Sequence, residues 1–223
     1  MSQIVAASPH VTTKNSTAVI MRDVLIALCP ALIAGCVVFG LRALLVVAVT
    51  TAACIFFEWG YEKLCGKPST ICDLSAAVTG MLLAMNLPVS IPLWQAVFGA
   101  LVAMVAVKGL FGGIGKNFAN PAITARIVMF LAFSKSMTAW VFPDAVSSAT
   151  PLAMMANGES VDYLTLLLGN HGGCLGETSA LALLIGFAYL LIRGVISWHT
   201  PVCFVGTVFV MSLILGQDAV GQI

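Results

Sequence analysis

The sequence predicts an all-α integral membrane protein with about seven transmembrane helices. Three observations predict it. Apolar residues make up 60% of the 223 residues and charged residues only 9%, against about 45–50% and about 25% in a soluble globular domain. The apolar residues fall into runs close to the ~17–25 residues that cross a bilayer. Nine of the ten basic residues fall at the ends of those runs, seven at one end and two at the other. A soluble globule of this size would need a polar shell that this composition cannot build. Disorder is excluded because the chain has ample apolar surface to bury. A net charge of +1 with no basic patch excludes a nucleic-acid partner. An odd count of 7 cysteines, with Cys29, Cys36, Cys54 and Cys203 inside apolar runs, argues against a secreted disulfide scaffold.

The first run is Val24 to Gly40, interrupted by Pro30. The second is Ala43 to Phe57, continuing less strongly through Glu58 to Leu64. The third runs from Ile71 to Leu87 and stops at Pro88. The fourth is Leu93 to Val107. The fifth, from Asn120-Pro121 to Phe133, is short and contains Arg126. The sixth is Thr178 to Ile192, and the seventh Pro201 to Leu215. Residues 1–20 lack a continuous apolar core and a following small-residue cleavage site, so the first span is expected to be a retained anchor. The expected organisation is a cytoplasmic arm over 1–20, five spans over 21–133, a polar loop over 134–176, and two spans over 177–223.

Cytoplasmic loops carry the excess of lysine and arginine. Alternating the spans gathers Lys14, Arg22, Lys63, Lys67, Lys108, Lys116 and Arg193 on one side. The other side receives only Arg42 and Lys135, and Arg126 stays within the fifth span. The split of seven against two predicts a cytoplasmic N-terminus and places 134–176 outside. Loops of this length in compact proteins are usually functional.

Within that loop, Asp144-Ala145-Val146-Ser147-Ser148-Ala149-Thr150-Pro151 presents a threonine hydroxyl after three small residues. Pro151 biases Thr150 toward extended backbone. Composition alone also suits an ordinary surface loop. Gly112-Gly113-Ile114-Gly115 lacks the Gly-Lys-Ser/Thr ending and the preceding strand of a phosphate loop. It reads either as a turn between spans four and five or as a broken, re-entrant helix with Asn117, Asn120 and Pro121 near a half-helix N-terminus. Lys116 is expected to face cytoplasmic headgroups, and Arg126 either headgroups or an anionic cofactor group. Asp73 is expected to cap span three. Glu58 and Glu62, one turn apart, are expected to pair with Lys63 or Lys67 rather than to conduct ions. Glu177 opens span six, where an acid suits a helix N-terminus. No C-x-x-C is present, so the cysteines suggest no iron–sulfur ligand set. His10, His171 and His199 are too scattered to suggest a metal site.

Four ordered segments give the chain a family likeness. They are Ser8-Pro9-His10 followed by Ile20-Met21-Arg22-Asp23-Val24-Leu25-Ile26-Ala27-Leu28-Cys29-Pro30-Ala31; Gly112-Gly113-Ile114-Gly115-Lys116-Asn117 leading into Asn120-Pro121-Ala122; the Ser-Ser-Ala-Thr turn; and Gly176-Glu177-Thr178-Ser179-Ala180-Leu181 with Trp198-His199-Thr200-Pro201. Together they resemble the D-subunit family of the Rnf electron-transport complex, related to the B subunit of the sodium-pumping NADH:quinone reductase. The resemblance implies FMN joined through a phosphoester to the threonine of an Asp-x-x-Ser/Thr-Gly-Ala-Thr motif, here Thr150. Asp144 matches the leading acid. Ser147, Ser148 and Ala149 would give an external flavin transferase room to reach the hydroxyl, with Ser148 standing where the family usually has glycine.

It further implies the other Rnf subunits (A, B, C, E and G) as partners, the lipid bilayer as solvent and the cell inner membrane as location. A second, non-covalent flavin (riboflavin) belongs to the same set of expectations. The family has about ten helices in two halves of about five. This chain closes at Ile223, so a site between the halves would be incomplete. The function implied is electron transfer between ferredoxin and NAD coupled to ion transport. The competing reading is a redox-inactive channel or small-solute transporter of related helical architecture, which has no use for the Thr150 motif. A third is a structural subunit that scaffolds its neighbours.

Overall fold

The Ser16 hydroxyl accepts from the Val19 amide and caps a long apolar helix, α1, Thr17–Phe39. Pro30 lies within it. Gly40 then adopts φ 72°, ψ −163°, a conformation open to glycine and strained for other residues. This single residue separates α1 from α2, Leu41–Leu64. At 23 and 24 residues, with mean hydropathy of 2.0 and 1.9, both helices are long and apolar enough to cross a membrane. The computed structural model describes residues 16–140, 167, 169, 172–177 and 179–215, and every regular element among the described residues is helical.

The third apolar run folds differently from its expected length. A 3-10 turn, Ile71–Asp73, leads to Leu74 in the left-handed region at φ 63°. Asp73 Oδ1 accepts from the Ser75 amide at 2.8 Å, the expected cap. The helix α3 is then only Ser75–Met85, about 16 Å long and about half the ~30 Å hydrocarbon thickness. Residues 86–92 run irregularly, yet Leu87, Val89 and Ile91 are buried. The helix α4, Leu93–Leu101, continues as a π-helical stretch, Val102–Gly109. After an irregular, largely exposed segment, Asn120 accepts from the amides of Ala122 and Ile123 and caps α5, Pro121–Ala132. A single turn, α6, spans Ser134–Met137. The helices α7, Ala180–Ile192, and α8, His199–Ile214, follow.

Each predicted apolar run thus coincides with a helix. The helix α2 is the hub, packed against α1, α3, α4 and the π-helical stretch. It runs antiparallel to α3: Arg42 at its start reaches Val89 and Ile91 beyond the end of α3, while Glu58 near its end lies beside Ser75 at the start of α3. Gly80 sets their closest approach, because a Cβ there would stand 2.6 Å from Thr51 Cα. Leu83, Leu87, Ile91 and Met129 lie in one fully buried core cluster, and Met104 packs in a second with Cys54, Ala76 and Ala100. The helix α1 packs against α7, and α8 is exposed over most of its length.

Candidate functional site

Asp144, Ser147, Ser148, Ala149 and Thr150 lie outside the described residues, as does most of the 134–176 loop. The described residues flanking that segment lie at one end of the bundle. Ser90 Oγ donates to the Ala139 carbonyl at 2.6 Å on one flank. On the other, the amides of Leu175 and Gly176 donate to the carbonyls of Leu87 and Met85, at 3.2 and 2.8 Å. Both flanks therefore tie to the end of α3 and the irregular stretch after it. Buried backbone outside a helix needs partners for its polar groups. Arg42 supplies two more, Nε to Val89 O at 2.9 Å and an Nη to Ile91 O at 3.2 Å.

Arg126, the one basic residue predicted within a span, reaches this same end. Its guanidinium donates to Asn86 Oδ1 at 2.8 Å and to Cys174 Sγ at 3.3 Å. Glu177 lies 3.8 Å away in a largely exposed pair that contributes little. Cys174 is fully buried. Burial pushes its thiol up to about 12, with Glu177 adding to the rise and Arg126 opposing it. The sequence alone allows Arg126 either headgroups or an anionic cofactor group; the side chain is half-buried and held in place, with part of its surface open.

The opposite end holds a second polar group. Glu58 pairs with Lys108, each about 5% exposed. The Lys108 ammonium also donates to Ser75 Oγ at 2.5 Å. Glu62 is held by Thr70, through its hydroxyl and through its amide at 3.0 Å. The predicted pairing of Glu58 and Glu62 with Lys63 or Lys67 is therefore corrected. Lys63 sits over the Trp59 ring and Lys67 over the Tyr61 ring instead. Lys108, counted among cytoplasmic basic residues, is buried. A cavity of about 360 Å³ opens beside the group, lined by Glu58, Glu62, Asp73, Lys108, Gly109 and Gly112 among others. Glu58 and Glu62 each keep one buried carboxylate oxygen without a hydrogen-bond partner. Spacing along the sequence gives no signal for this pair, whose members are 50 residues apart.

A third tie joins α1 to α7. The Arg193 guanidinium donates twice to Asp23 Oδ2, at 3.1 and 3.0 Å, and Tyr189 donates to Oδ1 at 3.4 Å. Asp23 is 3% exposed.

The sequence over residues 4–222 matches the family described as NQR2, RnfD, RnfE. The chain is 45% identical to the D subunit of the Na(+)-translocating ferredoxin:NAD(+) oxidoreductase complex of Acetobacterium woodii, over 97% of this chain and 70% of that protein. It is 35% identical to the D subunit of the proton-translocating ferredoxin:NAD(+) oxidoreductase complex of Clostridium ljungdahlii, over 95% and 69%. It is 34% identical to the D subunit of the ion-translocating oxidoreductase complex of Halorhodospira halophila, over 96% and 71%. The chain belongs to the NQR2, RnfD, RnfE family.

Proposed function

We propose that this chain is the D subunit of a membrane-bound, ion-translocating ferredoxin:NAD oxidoreductase complex and that it carries FMN on Thr150. The observation that carries the reading is 45% identity over 97% of the chain to the D subunit of a complex with that activity. The flavin assignment rests on Asp144-Ala145-Val146-Ser147-Ser148-Ala149-Thr150. FMN, when bound, supplies electron transfer, and the protein supplies position and electrostatics. Thr150 provides the hydroxyl for the phosphoester. Arg126, partly open at the end where both flanks of the 141–166 segment are tied, provides a fixed positive charge suited to an anionic flavin group. The group around Glu58 and Glu62 handles the translocated cation. Buried carboxylate oxygens without hydrogen bonds, beside a cavity, are the chemistry that a small cation or a proton satisfies. The Lys- and Arg-rich ends face the cytoplasm, and Thr150 lies on the other side of the cell inner membrane.

Intact complex purified from native membranes and separated in denaturing gels should give a fluorescent band for this chain under ultraviolet light. Peptide mass analysis should place FMN on Thr150. Thr150→Ala should abolish the covalent flavin while leaving membrane insertion intact. Covalent flavin persisting in Thr150→Ala, or a native chain without flavin, overturns the assignment, and the second result favours a redox-inactive channel.

A further inference from the structure

The polar group at the end of α2 has one feature that neither electron transfer nor simple cation binding explains: its ammonium. Two buried glutamates beside a cavity would suffice to hold a cation. Lys108 instead occupies Glu58 Oε1 from the opposite wall. The lysine sits on the π-helical stretch Val102–Gly109. Wide turns close there from Leu110 N to Val105 O at 3.1 Å and from Gly113 N to Lys108 O at 3.0 Å. Such turns are rare and occur mostly as single-turn bulges, frequently at functional sites. The same stretch and the loop after it, through Ile114, form one wall of the cavity.

The geometry points to Lys108 as a built-in counter-cation, which holds Glu58 while the cavity is empty and yields it to the translocated cation. This rests on the reading of the Glu58 group as the cation site. Charge and burial force an exchange rather than a release. A buried carboxylate stripped of its partner is strongly unfavourable, so the ammonium can leave Glu58 only as another positive charge arrives. Lysine suits the role, because its point charge rides on a flexible four-carbon stem. Asp73 and Glu62 line the same cavity, so an ammonium leaving Glu58 still faces carboxylates. The π-helical register supplies the motion. Shortening one wide turn to an α-helical one rotates the residues beyond it by about 100°, enough to swing Lys108 off Glu58. The groups facing Lys108 across this space are Glu58, Tyr61, Glu62 and Lys67 from α2 and the segment after it, and Asp73 and Ser75 from the approach to α3.

The test uses the whole complex in proteoliposomes, with reduced ferredoxin and NAD. NAD reduction is titrated with Na+ at fixed pH and, in Na+-free buffer, with pH. Lys108→Met removes the competitor, and the half-saturating concentration of whichever cation drives turnover should fall about tenfold. Lys108→Arg keeps the charge and grips the carboxylate with two donors, so half-saturation should rise. Glu58→Gln should abolish the cation dependence. If Glu58→Gln does so but half-saturation in Lys108→Met is unchanged or raised, the role of Lys108 falls and the cation site stands. If Glu58→Gln leaves the dependence intact, the cation-site reading falls and takes this inference with it. Should Lys108→Met fail to assemble, Lys108→Arg decides: unchanged or lowered half-saturation overturns the proposal.

Discussion

Arg42 shows how one side chain can hold an irregular segment inside an apolar bundle. Its guanidinium caps the carbonyls of Val89 and Ile91, in a stretch whose backbone forms no helix. Removing it orphans two buried acceptors, each worth about 1–3 kcal/mol of desolvation. Arg42→Ala should therefore lower the thermal stability of the detergent-solubilised complex by several degrees, and Arg42→Lys should recover part of the loss. Cys174 gives a pH-dependent prediction. Folding raises its thiol from 9.0 to about 12. The folded form keeps the proton over that interval while the unfolded chain loses it. The stabilising contribution is complete below the lower value and disappears as pH climbs toward the higher one. At pH 8, a thiolate-directed reagent should modify Cys174 at least ~100-fold more slowly than exposed Cys65, and equal rates would contradict the packing around Arg126.

At the scale of elements, α3 depends on close approach to α2. Any side chain at Gly80 meets Thr51 Cα, a backbone atom that cannot swing away. Gly80→Val should cost about 3 kcal/mol or more, at the upper end of overpacking, read as earlier thermal aggregation of the purified complex. The positions of the helices were legible in the sequence because each is an apolar run with its own stop: Gly40 after α1, Pro88 after α3, Asn120-Pro121 before α5. Their lengths were less so. The third run looks continuous from Ile71, but Asp73 spends its side chain on the Ser75 amide and Leu74 turns left-handed, so α3 starts late. The π-helical register left no trace, since apolar periodicity barely distinguishes a widened turn from an ordinary one. The Glu58–Lys108 pair is hidden from sequence reasoning because its members are 50 residues apart and only the packing of the π-helical stretch on α2 joins them. Spacing along one helix suggests Lys63 and Lys67, which find aromatic rings instead.

At the scale of the whole molecule, the alternation of basic residues agrees with which ends meet. Arg193 meets Asp23 at one end, while Arg42 and the flanks of the 141–166 segment meet at the other. Arg42 is a special case in that count, since its charge is committed to carbonyls rather than to a surface. Residue types around Thr150 alone suit an ordinary surface loop, and the flavin reading of that motif comes from the family resemblance. A cysteine introduced as Ser160→Cys should react with an impermeant thiol reagent added to intact cells. Labelling confined to lysed cells would reverse the orientation and the proposed side of flavin attachment.

The depth of Glu58 along α2 has an electrical consequence. It lies six residues from Leu64 and sixteen from Arg42, or about 9 Å from one end and about 24 Å from the other charged level. A charge crossing the whole membrane gains or loses about 2.3 kcal/mol per 100 mV. If Glu58 takes the translocated cation as proposed, a cation reaching it from the near face traverses about a quarter of that drop, so roughly 0.6 kcal/mol per 100 mV acts on its binding. The remaining three quarters act on its onward passage. On that reading membrane voltage bears mainly on release toward the far face, and capture feels only the smaller share of it.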